Sequence, residues 1–142
     1  MIIDDRGRAR PIERFAVGDL VTFLAGPGGR AATTPITAML KRHRRDHHYV
    51  INGELRITND HPLLVAAGAK RLWTPVERLR LGDGMVSPSG PIEARTIERI
   101  AGTVSTVYLE TEAESYLAMG AQGPYVVHGR YRDVLAATHR AA

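Results

Sequence analysis

Apolar residues recur along this chain at two spacings. Ile12 and Phe15, and again Val76 and Leu79, lie three apart, which fits a single helical or 3₁₀ turn held on a core by one face. Elsewhere the apolar residues gather in short runs bounded by Gly, Pro, Asn and Asp. The first half carries such runs at 20–24, 49–51, 54–58 and 62–66, and the second at 85–87, 96–100, 106–110, 116–118 and 125–127. Asn52-Gly53 stands between two of them, a dipeptide suited to the positive φ angles of a tight hairpin. The pattern predicts an all-β chain. Only the tail, residues 133–142, reads as helical. Gly26-Pro27-Gly28-Gly29 predicts a turn or loop, and it lacks the following Lys-Ser/Thr that a phosphate cradle needs.

One segment occurs twice. Pro11-Ile12-Glu13-Arg14-Phe15-Ala16-Val17-Gly18-Asp19 matches Pro75-Val76-Glu77-Arg78-Leu79-Arg80-Leu81-Gly82-Asp83 at a constant offset of 64 residues. Pro, Glu, Arg, Gly and Asp are identical, three positions exchange one apolar residue for another, and only Ala16 against Arg80 differs in kind. Each copy predicts the same device: one turn pinned by its apolar pair, then a Gly-Asp reversal, then a strand. Gly supplies positive φ there and Asp bonds its own backbone. Two copies predict two halves related by a pseudo-two-fold axis.

Composition narrows the classes. The 142 residues, 44% hydrophobic and 24% charged, suit one ordinary globular domain. No apolar run approaches the roughly 18 residues of a membrane helix. Met1-Ile2-Ile3-Asp4-Asp5 is acidic where a signal peptide would be basic, so the expected location is cytoplasmic. The absence of cysteine excludes disulfides, thiolate metal sites and a cysteine nucleophile within these residues. The net charge of +4 comes mostly from arginine, densest at Lys41-Arg42-His43-Arg44-Arg45. The other arginines are interspersed with Asp and Glu, and aromatic residues are few, which favours a solvated face over a nucleic-acid partner. His43, His47 and His48 with Asp46 could hold Zn²⁺ or Ni²⁺. The adjacent arginines oppose a cation, so no metal and no cofactor are expected.

Leu55-Arg56-Ile57-Thr58-Asn59-Asp60-His61-Pro62-Leu63-Leu64-Val65 resembles the Thr-x-x-His-Pro block of Hint domains, the family of hedgehog autoprocessing domains and inteins. The Pro-Ile-Glu-x-x-x-x-Gly-Asp segment, the Trp73-x-x-Val-Glu-x-Leu-x-x-Gly-Asp segment, and Tyr116 through His128 are similar to further blocks of that family, in the same order. The resemblance covers nearly the whole chain, about 2–129. It implies a flattened β horseshoe with pseudo-two-fold internal duplication. A Hint-like domain is expected over 1–129, with a short helical or frayed C-terminal tail over 130–142. It also implies a chemistry: a Cys or Ser at the domain's first position attacks the preceding carbonyl, the His protonates the departing nitrogen, and the Thr holds the peptide. In inteins a terminal His-Asn pair then releases the domain. The resemblance puts Thr58, His61 and His128 in the site.

The chain departs from that pattern. The family's nucleophile stands several residues before the Gly that precedes Pro-Ile-Glu, whereas Met1 is only six residues before Gly7, so the chain is expected to begin inside the usual boundary. Gly129 stands where the cyclising Asn belongs, and Gly has no carboxamide to cyclise. Glu114-Ser115 precede Tyr116 where a His is often found, and Leu109 follows Tyr108 where an Asp is common. The expected function is a degenerate Hint scaffold, unable to splice, that binds a flanking polypeptide or a peptide or protein partner. A strand-exchanged dimer is compatible with that scaffold. The alternative is an N-terminal autocleavage domain whose Cys or Ser lies upstream of Met1.

Overall fold

Among the described residues, twelve strands build two antiparallel sheets. The computed structural model describes residues 1–25 and 29–129, apart from the side chains of 41–43. The expected tail over 130–142 and most of the Gly-rich loop, 26–28, lie outside the described residues. One sheet holds β1 (Ile2–Ile3), β2 (Ala9–Arg10), β6 (Pro62–Ala67), β7 (Lys70–Pro75), β8 (Gly84–Met85), β9 (Ile92–Glu93), β11 (Ser115–Ala118) and β12 (Tyr125–His128). Its order is β2-β1-β11-β12-β6-β8-β9, with β7 on the other side of β6. The second sheet runs β10-β4-β3 and is built from β3 (Leu20–Ala25), β4 (Arg30–Ile51) and β10 (Ile97–Thr111), with β5 (Leu55–Ile57) also on β4. The only helical elements among the described residues are two single 3₁₀ turns, Ile12–Arg14 and Val76–Arg78.

Those turns are the repeated segments, and they fold alike. Gly18 and Gly82 take φ of 96° and 94°, a conformation that costs a side chain dearly. Asp19 and Asp83 each accept the amide three residues back, from Ala16 and Arg80, at 2.9 Å. Each Gly-Asp then clips a later segment: Gly18 donates to Ile36, and Ile36 donates to Asp19. In the second copy Gly82 donates to Ala94, and Ala94 to Asp83. The apolar anchors are buried, Phe15 at 1% exposure and Leu79 at 7%.

β4 and β10 form a long ribbon whose register shifts between Ala101 and Val104, between Thr106 and Tyr108, and between Glu110 and Thr111. Extra residues of this kind bend a strand and increase its twist. β4 also changes partner along its length, pairing β3 through 30–35 and β10 from Ile36 onward. Asn52 and Gly53, both at positive φ (54° and 70°), close the hairpin from β4 to β5.

The larger sheet is covered on both faces. Ile2, Leu63, Val65, Tyr116, Ala118, Tyr125 and Val127 pack into the main core, while Ile3, Leu117 and Val126 join Val86 in a second cluster with Leu64 and Ala66 against it. Successive residues of a strand point to opposite faces, so Tyr-Leu-Ala and Tyr-Val-Val are continuous apolar runs because both faces are buried.

Candidate functional site

Thr58 and His61 close the turn from β5 to β6, His61 N–H donating to the Thr58 carbonyl at 3.3 Å. The second 3₁₀ turn braces this bend. Val76 N–H donates to His61 O at 3.2 Å, Glu77 N–H to Asn59 O at 2.7 Å, and Asn59 Nδ2 to Glu77 Oε2 at 3.0 Å. Thr58 and His61 are each 8% exposed. Beside them lies a pocket of about 400 Å³. Its walls include Met1, Ile2 of β1, Ile12 and Glu13 of the first 3₁₀ turn, and Arg45 and His48 of β4. Two runs of five consecutive residues, 54–58 and 104–108, complete most of it. Neighbours on a strand face opposite ways, so a run of five lines one cavity when the cavity lies along the strand's edge. Among the described residues β10 is the last strand of its sheet, next to β4.

His61 Nε2 lies 2.9 Å from the backbone carbonyl of His128. A carbonyl only accepts, so Nε2 carries the proton and, in the neutral ring, Nδ1 carries the lone pair. Burial pushes the His61 imidazole from its ordinary 6.5 down to about 4, and the bond to the His128 carbonyl opposes that shift without cancelling it. Arg45 and Asp60, paired at 3.3 Å, act on His61 in opposite directions, the guanidinium lowering and the carboxylate raising its basicity. The ring is neutral at pH 7.

His128 enters the site through its main chain. Val127 lines the pocket, and alternation along β12 puts the His128 ring on the other face, with Val126. There it meets Trp73 edge-on, ring centroids 4.8 Å apart at 82°. The structure therefore brings Thr58 and His61 together at the pocket, and the carbonyl of His128 bonds His61. Gly129 is held by a bond from its N–H to Glu114 O at 2.8 Å and by the Thr111 N–H on its own carbonyl at 3.1 Å. A Cβ at 129 would meet Thr111 Oγ1 at 3.1 Å and the Ser115 nitrogen at 3.3 Å, so any side chain there forces its neighbours to move.

Sequence reasoning missed Arg45, His48, Glu54 and Arg56 as pocket residues. Arg45 and His48 were legible only as members of a charged run, because nothing in the sequence says that β4 bends past Thr58. Glu54 fixes the β11–β12 connection: its carboxylate accepts the Tyr125 hydroxyl at 2.5 Å and the Ala121 amide at 2.6 Å. Burial first, then the Glu54 carboxylate, pushes Tyr125 up to about 12. Gly120 leaves no room there, since a Cβ would overlap the Glu54 carboxylate and stand 2.8 Å from Tyr125 Cε2. Gly120→Ala should therefore lower stability by about 1–3 kcal/mol, read as a lower urea midpoint; an unchanged midpoint would mean that Glu54 is not the strut described. Of the histidines weighed as metal ligands, His47 Nδ1 meets Asp46 at 2.6 Å and His48 Nε2 meets Arg56. No group of three or more His, Asp or Glu converges on one point among the described residues.

No family model matches the chain, and no curated protein matches it. Solved structures do. The solution structure of a bacterial intein-like domain from Clostridium thermocellum superposes with a TM-score of 0.75 at 20% identity, covering 90% of this chain and 93% of that one. This chain has the Hint fold of inteins. The DnaB intein of Synechocystis sp. PCC 6803 superposes with a TM-score of 0.70 at 13% identity, over 90% of this chain and 92% of that intein. The MchDnaB-1 intein gives 0.65 at 20% identity, over 87% and 93%. In this intein-like fold the resemblance of Thr58-x-x-His61 at the sequence level and the curled sheets of the structure agree.

Proposed function

We propose that this chain is a Hint-fold scaffold that holds an extended polypeptide beside Thr58 and His61 and does not splice. The observation that carries this reading is one pocket lined at once by Thr58, His61 and the 104–108 edge of β10. The outer edge of a terminal strand is where an extended chain can be added as a further strand. Splicing by ring closure of an Asn needs a carboxamide, and Gly129 has none, in a position where a Cβ is already crowded. The test is amide hydrogen exchange at 104–108, with and without a mixed pool of acetylated heptapeptides. Slower exchange is the expected result. Exchange that the pool leaves unchanged would sink the reading.

A second reading is supported by the place of Met1, which lines the same pocket as Thr58 and His61. A residue joined to the Met1 nitrogen lies close to that pocket, so a Cys or Ser a few positions upstream is a fit nucleophile for an acyl shift. The thiol or hydroxyl would add to the preceding carbonyl, the peptide C–N bond would break, and His61 would carry the proton to the leaving nitrogen. The decisive molecule is a fusion of a carrier protein to Met1 through a short segment that opens with Cys. Hydroxylamine should release the carrier, and His61→Ala should slow that release by roughly 10²–10⁴-fold. Equal release with and without His61 would refute the acyl-shift role.

A further inference from the structure

We infer that the pocket selects an acidic side chain: its polypeptide occupant places an Asp or Glu against Arg56 and His48. This inference rests on the polypeptide-holding reading and adds a specificity to it. Arg56 Nη1 stands 3.2 Å from His48 Nε2. A guanidinium only donates, so Nε2 is the acceptor and the His48 proton sits on Nδ1. That Nδ1 is buried with no hydrogen-bond partner. An unsatisfied buried donor is costly, and such atoms in a folded chain point to a missing acceptor.

The charges of the wall reinforce this. Among the described residues no carboxylate lies within ion-pair distance of Arg56. Glu54, the nearest acid in sequence, is occupied by the Tyr125 hydroxyl and the amides of Ala121 and Gln122. Arg45 already holds Asp60 at 3.3 Å. Arg56 and the His48 N–H are thus two donors, one fully charged, on the pocket wall nearest Thr58. His48 is half-buried and lines the same pocket as Arg56. A carboxylate accepts from both groups at once and neutralises the arginine; a neutral amide does neither.

The test uses the full chain on a positional-scanning array of acetylated heptapeptides in which every residue is tried at every position. One position should prefer Asp and Glu over Asn and Gln by about tenfold. Arg56→Gln, at an exposed site, should abolish that preference. His48→Gln should weaken it. Binding without an acid preference, or a preference that survives Arg56→Gln intact, overturns the inference and leaves the polypeptide-holding reading standing. No binding to any peptide overturns both.

Discussion

Unfolding free energy should fall by on the order of 3 kcal/mol between pH 6.5 and pH 4 on account of His61 alone. In the folded chain this imidazole takes a proton only at about 4, because burial disfavours its charged form; in the unfolded chain it does so at about 6.5. Between those values the unfolded state binds the extra proton, so acidification pulls the equilibrium towards it. The stability is complete above 6.5 and is lost as the pH approaches 4. His61→Gln keeps a donor for the His128 carbonyl and removes the titration. Urea denaturation of both chains at pH 7, 5.5 and 4 separates His61 from the carboxylates, which the two share. The wild-type curve should be the steeper; parallel curves would mean that the ring is not held neutral.

A loss of about 3–5 kcal/mol is expected for Phe15→Ala. Phe15 is 1% exposed, closes the first 3₁₀ turn onto the main core, and carries the Arg10 guanidinium 4.5 Å over its ring. Truncation removes the largest apolar group that ties this turn to the sheet and leaves a cavity that the Pro11 and Gly18 geometry cannot collapse. Leu79→Ala, at the matching place in the second copy, should cost about 2–5 kcal/mol, less than Phe15 because fewer atoms are lost. Urea midpoints at pH 7 check both. A Phe15→Ala midpoint near that of the wild type would show that the turn is not anchored through its ring.

The parts of the fold legible in the sequence were those set by local chemistry. The repeated turn showed itself because Gly is the residue that readily takes φ near 95° and a short side-chain oxygen, here of Asp, reaches the amide three residues back. Asn52-Gly53 announced its hairpin for the same reason. β4 was not legible over most of its length, since Lys41-Arg42-His43-Arg44-Arg45 has weak strand preference and is extended there by pairing with a distant partner, β10. β10 in turn reads as two strands in sequence. Ala101-Gly102-Thr103 interrupts its apolar residues, and the structure absorbs that interruption as a register shift with Gly102 at φ 118°. β7 was missed because four of its six residues are exposed and no alternation marks it.

The candidate site divides along the same line. Thr58 and His61 were found because they sit in one short segment that resembles a known block, and the structure puts both on the pocket. His128 was named from the same resemblance; alternation along β12 puts its ring on the face opposite Val127, and its carbonyl is the group that bonds His61. Arg45, His48 and Arg56 belong to the pocket through the curvature of a ribbon, which depends on bulges rather than on residue type.

The contact between Trp73 and His128 gives the molecule an optical consequence. Trp73 is the only tryptophan in the chain, and it touches the residue whose carbonyl anchors His61. Indole emission from the unlabelled chain thus comes from one side chain two links away from the imidazole, partly open to solvent on the outer strand β7. Whatever displaces β12 by a few tenths of an ångström writes itself into that signal.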